Sequence, residues 1–159
     1  NLDENQFTTK DYPGKEELTN YSKQFNIPLI ELCIKSELEI SQLEPEDRKL
    51  FMEDLGIIET GIDKLSRTTY DYLGLISFLT AGEDEVKAWT IKRGTTAKKA
   101  AGKIHSDIEK GFIRAEVCKF EHLKELGSMQ KVKEKGLLTL EGKDYIVQDG
   151  DIINFRFNV

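Results

Sequence analysis

Basic residues are concentrated in one stretch of a chain that is otherwise acidic. The 159 residues carry a formal net charge of −6, yet the stretch from Ala88 to Phe112 contains only two acidic residues. Its basic residues are Lys92, Arg93, Lys98, Lys99, Lys103 and Lys110. Cationic side chains around the start of a helix form a site for phosphate groups, because the helix N terminus adds free N–H donors and the positive end of its dipole.

We therefore predict a nucleic-acid-binding surface at this stretch. Its residues are Lys92, Arg93, Lys98, Lys99 and Lys103. Trp89 lies next to them in the sequence, and an exposed indole ring can stack on a base. The alternative is an ordinary solvated face, on which these lysines bind nothing.

The same residues give less support for a catalytic function. The segment GTTAKKAAGKI has the Gly-Lys pair of a phosphate-binding P-loop, but Ala97 stands where the first glycine is needed. Ile104 replaces the Ser or Thr that would hold Mg²⁺. The two histidines, His105 and His122, belong to no visible nucleophile–base arrangement. We predict no catalytic residue and no metal site, and no ATP or GTP hydrolysis by this chain alone.

Hydrophobic periodicity predicts the elements that position the basic stretch. Two strand candidates, ending at Gly82 and Gly94, precede a helix capped by Thr95 or Thr96. The apolar stripe of that helix would face a sheet and consists of Ala97, Ala100, Ala101, Ile104 and Ile108. The segment FIRAEV alternates, with Ile113, Ala115 and Val117 on one face. After an Asp149-Gly150 turn the tail alternates through Ile153, Phe155, Phe157 and Val159.

Two strands, a crossing helix and further strands form the β-grasp order of ubiquitin. The first half of the chain has a different pattern. Helices are predicted from Lys15 to Phe25, after Ser36, from Pro45 and after the cap Thr60, and the apolar run 27–34 predicts a strand buried on both faces. The pattern of predicted helices and strands changes near Leu75. We therefore divide the chain into segments 1–75 and 76–159.

Composition favours a soluble globular protein, and we expect it in the cytoplasm. Hydrophobic residues make up 38% of the chain and charged residues 33%, and no apolar run reaches the length of a membrane span. The sequence from Asn1 shows no signal-peptide pattern, and its start without Met suggests part of a longer protein. Cys33 and Cys118 are predicted to be free thiols in a reducing compartment.

The segment from Leu79 to Val159 resembles the TGS domain of the Obg-like ATPase (YchF-type) family. The resemblance rests on TAG, AWTI, AAGKIHSD, GFIRAEV and GKDYIVQDGD. It implies an α+β chain, with a β-grasp TGS domain over 76–159. Segment 1–75 would be the C-terminal remnant of an α/β P-loop nucleotide-binding domain with its connecting helices.

The N-terminal NLDE is similar to the base-reading motif N-x-x-E of the same family. The resemblance implies that Asn1 and Glu4 read the nucleotide base and that Leu2 lines its pocket. Cys33 to Glu37 would then be the loop that closes over the base. ATP or GTP with Mg²⁺ would belong to the full-length protein, and no cofactor is expected for this chain by itself.

The resemblance implies a translation-associated protein whose TGS domain binds the ribosome or RNA. No sequence-specific DNA binding and no membrane association are expected. A dimer through the exposed edge of the 27–34 strand is a further expectation. Two alternatives remain open at this point: a protein-interaction β-grasp module with no nucleic-acid role, and a partner portion of a complete ATPase.

Overall fold

The structure, a computed structural model, describes residues 1–82 and 85–158. It divides into two compact units, Asn1–Leu73 and Gly74–Val159, and the division falls two residues before the predicted boundary. In the first unit the helices are α1 (Glu4–Thr9), α2 (Lys15–Phe25), α3 (Ile34–Gln42), α4 (Pro45–Asp54) and α5 (Gly61–Tyr72).

Local sequence explains where several of these helices begin. Asp3 caps α1 by accepting a hydrogen bond from the backbone N–H of Gln6, whose side chain in turn accepts from the Asp3 N–H. Pro45 stands in the first turn of α4, where its missing N–H costs nothing. Thr60 caps α5 through the Asp63 N–H, as predicted.

The predicted strand at residues 27–34 is wrong. The segment 27–33 has no regular secondary structure, and Ile34 already belongs to α3. A strand exists only by pairing, and residues 1–73 contain no strand to pair with it. Pro28 also lacks an N–H to donate. Because this segment is no strand, the edge on which the predicted dimer relied is absent.

The second unit contains the β-grasp sheet. Its strands are β1 (Leu75–Ala81), β2 (Val86–Lys92), β3 (Phe112–Lys119), β4 (Thr139–Glu141) and β5 (Asp151–Phe157). Their order in the sheet is β2-β1-β5-β3-β4. The pair β1/β5 is parallel, and the other pairs are antiparallel. This arrangement confirms the α+β class and the β-grasp order predicted from the sequence.

The described residues of this unit form four helices in the connections of the sheet. They are α6 (Ala97–Ile104), α7 (Ser106–Lys110), α8 (Phe120–Leu126) and α9 (Met129–Glu134). The sequence predicted one helix as far as Gly111, but it breaks at His105, which is extended. The His105 side chain accepts a hydrogen bond from the Asp107 N–H and so starts α7. Polar side chains of this kind compete with the helical backbone for hydrogen bonds.

The core lies between the sheet and α6. Ile76 and Phe78 of β1 and Ile153 and Phe155 of β5 are buried there, with Phe78 and Phe155 in an edge-to-face contact of 5.9 Å. A smaller cluster around Cys118, Val132 and Ile152 packs beneath α8 and α9. These two helices and β4 were not predicted from the sequence.

Two strand details depart from simple alternation. An irregularity in register between Phe112 and Arg114 leaves Ile113 exposed, so Ile113 does not share the buried face of Ala115 and Val117. Phe157 is partly exposed at the end of β5. Val159, predicted to continue the alternation, lies outside the described residues.

Candidate nucleic-acid interface

Helix α6 presents the predicted lysines to solvent. Its inner side is a stripe of small residues, and Ala97, Ala100 and Ala101 are fully buried against the sheet. Ile104 and Ile108 continue the stripe, partly buried against the same core. The opposite side of the helix carries its exposed residues, which are Lys98, Lys99 and Lys103. The predicted orientation of the helix is confirmed.

The N terminus of α6 differs from the expectation of open N–H donors. The N–H of Ala97 donates to the carbonyl oxygen of Tyr145 at 2.7 Å, and the N–H of Lys98 donates to that of Lys143 at 3.3 Å. The loop that supplies these carbonyls, residues 142–148, is far away in the sequence, so the pairing was not visible in it. These two N–H groups are satisfied within the protein, so they are not available to a phosphate.

The same loop adds a cation that sequence reasoning missed. Lys143 is exposed, and its backbone lies next to the first turn of α6. Lys92 and Arg93, at the end of β2 and beyond it, are also exposed. We call the resulting set the α6 surface, and its members are Lys92, Arg93, Lys98, Lys99, Lys103 and Lys143.

The lysines of α6 are not equivalent. Lys99 forms an ion pair with Glu109 of α7, with 2.7 Å between Nζ and Oε1. The hydrogen bond from Lys99 lowers the pKa of Glu109, and the positive charges of Lys99 and Lys98 contribute in the same direction. Lys98 and Lys103 have no ion-pair partner among residues 1–82 and 85–158. They are the lysines of the helix best placed to contact an external anion.

Trp89 is less available than the sequence suggested. Its ring is partly buried against the core, and its Nε1 donates to Thr80 Oγ1 at 3.0 Å. The ammonium of Lys87 lies 4.5 Å from the ring centroid, in a cation–π contact. The indole is therefore held as part of the sheet and is not placed to stack on a base.

A buried carboxylate fixes the loop that caps α6. Asp151 is fully buried and accepts hydrogen bonds from Lys119 Nζ at 2.6 Å, Tyr145 OH at 2.8 Å and the Gln148 N–H at 2.8 Å. Burial raises the pKa of the Tyr145 hydroxyl, and the hydrogen bond to Asp151 raises it further. The loop is thereby attached to the start of β5, which holds Lys143 beside α6.

The turn before β5 is as predicted and joins this network to β1. Gly150 adopts a positive φ of 75° and donates its N–H to the carbonyl oxygen of Ser77 at 2.8 Å. The Asp149 carboxylate accepts from the Ser77 N–H at 2.8 Å. Both residues of the turn therefore bind the neighbouring parallel strand.

The predicted base-reading residues lie against the segment predicted to close over the base. Asn1 Oδ1 accepts from the Ile34 N–H at 3.1 Å, and the Leu2 N–H donates to the Leu32 carbonyl oxygen at 2.8 Å. Glu4 is exposed and pairs with Lys35 at 3.1 Å. A cavity of about 300 Å³ beside them is lined by Asn1 and Leu2, but not by Glu4.

The described part of the chain gives no support for a metal site, a catalytic histidine or a membrane-spanning helix. Residues 1–82 and 85–158 contain no group of three His, Cys, Asp or Glu side chains arranged to hold a metal ion. His122 is a residue of α8, and its Nδ1 is buried with no hydrogen-bond partner among the described residues. No helix among these residues is long and apolar enough to cross a membrane.

Comparisons with known proteins give the family. The family model YchF-GTPase_C, described as a protein of unknown function (DUF933), matches residues 75–158. A Bacillus subtilis protein named ribosome-binding ATPase YchF is 51% identical over 142 residues, which are 89% of this chain and 39% of that protein. The Caenorhabditis elegans Obg-like ATPase 1 is 50% identical over 122 residues, which are 77% of this chain and 31% of that protein.

Solved structures agree with the sequence relatives. The Schizosaccharomyces pombe YchF GTPase superposes with a TM-score of 0.82 at 28% identity, covering 98% of this chain and 42% of that chain. A GTP-binding protein of Pyrococcus horikoshii has a TM-score of 0.63 at 18% identity, covering 96% of this chain and 44% of that one, and this similarity supports the fold alone. The chain spans about two fifths of the curated relatives with ribosome-binding names. It belongs to the YchF-GTPase_C family.

Proposed function

We propose that the β-grasp unit is a TGS domain that binds ribosomal or transfer RNA through the α6 surface. The chain would act as the C-terminal portion of an Obg-like, ATP- or GTP-binding protein associated with translation in the cytoplasm. One observation carries the proposal: the lysines of α6 are exposed on a helix whose other side, Ala97, Ala100 and Ala101, is fully buried.

Rigid presentation makes these lysines effective. Small residues allow a helix to lie close to the sheet, so the backbone that carries the ammonium groups is fixed before RNA arrives. A binding surface that is already ordered loses less entropy on association. The Asp151 hydrogen bonds hold Lys143 in the same way. Only the lysine side chains themselves need to be ordered when phosphate binds.

Charge distribution supports the same partner. The chain as a whole carries −6, so RNA is repelled by much of its surface and attracted to the few places where cations cluster. Relatives named ribosome-binding ATPase are consistent with RNA as that partner. A protein-interaction role without RNA is the alternative that the experiment below separates.

The proposal also includes nucleotide binding by residues at the N-terminal end of the chain. Asn1, Leu2 and Glu4 would contact the base of ATP or GTP in a full-length protein, with Mg²⁺ at the phosphates. The hydrogen bond between Asn1 and the Ile34 N–H supports this role, because it attaches the motif to the segment expected to close over the base. Glu4 is exposed, and only its Oε1 contacts Lys35.

Neutralising the α6 lysines tests the RNA part. The triple variant Lys98→Gln, Lys99→Gln, Lys103→Gln and the unmodified protein are titrated with ribosomes and with a labelled RNA at several salt concentrations. We expect weaker binding and a salt dependence that is flatter by roughly one unit of slope per lost phosphate contact. The unfolding free energy should stay within about 0.5 kcal/mol per substitution, because the side chains are exposed.

A second triple variant controls for net charge. Lys23, Lys49 and Lys124 are exposed and lie outside the α6 surface, so replacing them with glutamine changes the total charge equally. RNA affinity and salt slope should then remain those of the unmodified protein. If both triple variants bind alike, the α6 lysines are ordinary solvated surface, and the protein-interaction alternative replaces the proposal.

A further inference from the structure

The β-grasp sheet has a second face, turned away from α6, that is only partly covered. Cys118 and Ile152 on this face pack beneath α8 and α9. Two further cross-strand rows lie on this face. In one, Glu116 lies between Leu140 and Asn154, and in the other Arg114 lies opposite Arg156. Leu140, Asn154, Arg114 and Arg156 are all exposed.

The arginine row places like charges directly opposite each other. Residues paired in this way have Cβ atoms about 4.5–5.5 Å apart, and two positive charges at that spacing destabilise the sheet. Glu116 compensates the charge of only one of the two arginines, Arg156. Its carboxylate accepts hydrogen bonds from Arg156 and, at 2.8 Å, from Asn154. Arg114 has no ion pair or hydrogen bond with any residue in 1–82 or 85–158.

The surroundings of Arg114 leave its guanidinium accessible. The register of β3 against β5 shifts between Phe112 and Arg114, and shifts of this kind redirect side chains. On the flank away from Arg156 the neighbour is Gly142, which has no side chain. A Cβ placed on Gly142 would lie only 3.5 Å from Nη1 of Arg114. An anion can therefore approach Arg114 without displacing a protein group.

We propose that this face binds the phosphodiester backbone of RNA, with one phosphate held between Arg114 and Arg156. A guanidinium presents a planar set of donors that matches phosphate oxygens, and a phosphate between the two arginines would offset their repulsion. The proposal rests on the RNA-binding function proposed above and adds a second contact region, on the sheet face opposite α6. We call this region the arginine row.

The arginine row is tested with Arg114 alone, because replacing Arg156 would leave Glu116 without its partner. Fluorescence anisotropy of a labelled oligouridine is measured for Arg114→Gln, Arg114→Lys and the unmodified chain at several salt concentrations. Arg114→Gln should weaken binding about three- to tenfold and reduce the salt slope by roughly one unit. Arg114→Lys should restore the slope but not the full affinity, because lysine lacks the planar donor pair.

Arg67→Gln is the matched control, since Arg67 is an exposed arginine of the first unit, paired with Glu59. Equal affinities for Arg114→Gln and the unmodified chain, or equal weakening by Arg67→Gln, would overturn the arginine row. So would an Arg114-dependent affinity for polyglutamate with unchanged RNA binding, because the ligand would then be an acidic protein. If the α6 triple variant loses affinity while Arg114→Gln does not, the proposed function stands and only the arginine row is wrong.

Discussion

Asp151 joins residues that lie far apart in the sequence. It is fully buried, and its two oxygens accept hydrogen bonds from Lys119 of β3, from Tyr145 and from the Gln148 backbone. A buried carboxylate is tolerable only when its hydrogen bonds are made, so each donor is needed to keep the loop in place. The motif GKDYIVQDGD thus contains both the acceptor and two of its donors.

The network predicts a loss of stability in alkali. Burial lowers the pKa of the Lys119 ammonium, but the hydrogen bond and charge of Asp151 outweigh this, so the pKa lies above its usual 10.5. The pKa of Tyr145 lies above its usual 10.0, for the reasons given above. In both cases folding favours the protonated form. Their contribution is complete below the unfolded-state pKa values and is lost as the pH rises through the folded-state values.

Urea unfolding between pH 8 and pH 11 measures this effect. We expect the unfolding free energy to fall above about pH 10, and to fall less steeply in Tyr145→Phe, which has no phenolic proton to lose. Tyr72→Phe, which changes an exposed tyrosine outside the network, should keep the slope of the unmodified protein. Indistinguishable slopes for Tyr145→Phe and the unmodified protein would show that Tyr145 does not contribute.

At the scale of elements, the sequence predicts the helices and strands that are marked by a residue pattern within a single segment. The alanine stripe of α6 has helical spacing, and the alternation of β5 has strand spacing, so both were found. The strand at 27–34 was wrong because its apolar residues satisfy a pattern but have no pairing partner in the first unit. The composition of a segment describes that segment alone, whereas a strand forms only when a second segment pairs with it.

The candidate site was predicted only in part for the same reason. Exposure of the α6 lysines follows from helical spacing, and it was found. The carbonyls of Lys143 and Tyr145 at the N terminus of α6 come from a distant loop, so the open helix end was wrong. The opposition of Arg114 and Arg156 depends on the register of β3 and β5, which no single segment reveals.

The contact between the end of α7 and β5 predicts the effect of a small substitution. Gly111 follows α7, and its carbonyl oxygen accepts from the Asn158 N–H at 2.9 Å. A Cβ at Gly111 would lie 1.8 Å from the Asn158 carbonyl oxygen, which is backbone and cannot turn away. Gly111→Ala should therefore lower the unfolding free energy by about 1–3 kcal/mol.

Gly82→Ala is the matched comparison for thermal or urea unfolding. Among residues 1–82 and 85–158, the atom nearest to a Cβ at Gly82 would be the Glu85 carbonyl oxygen, at 3.6 Å, an ordinary contact. That variant should differ from the unmodified protein by less than about 0.5 kcal/mol. If the two alanine variants are equally stable, the approach of Gly111 to Asn158 does not constrain the fold.

On the scale of the whole molecule, the two units differ in how much they bury. The second unit contains a cluster of eleven buried residues around the sheet and a second cluster beneath α8 and α9. In residues 1–73 the buried side chains are those of Cys33, Ser36 and Ile40. Many large apolar residues of this unit are exposed, including Leu50 of α4, Ile62 of α5 and Ile58 in the connection between them. Since apolar burial is the main favourable contribution to folding, the units should differ in stability.

Hydrogen exchange followed residue by residue should reveal this difference. Amides in β1, β3 and β5 belong to the sheet that carries the large core, so they should open only with that unit and exchange slowest. Amides in α2 to α5 should exchange at least roughly tenfold faster, through openings that leave the sheet intact. Measurement at two protein concentrations controls for self-association, which could cover the exposed apolar residues and slow exchange in α2 to α5. If protection in the helices of the first unit matches that of the sheet at both concentrations, the first unit draws its stability from interactions other than its own few buried residues, and the prediction is wrong.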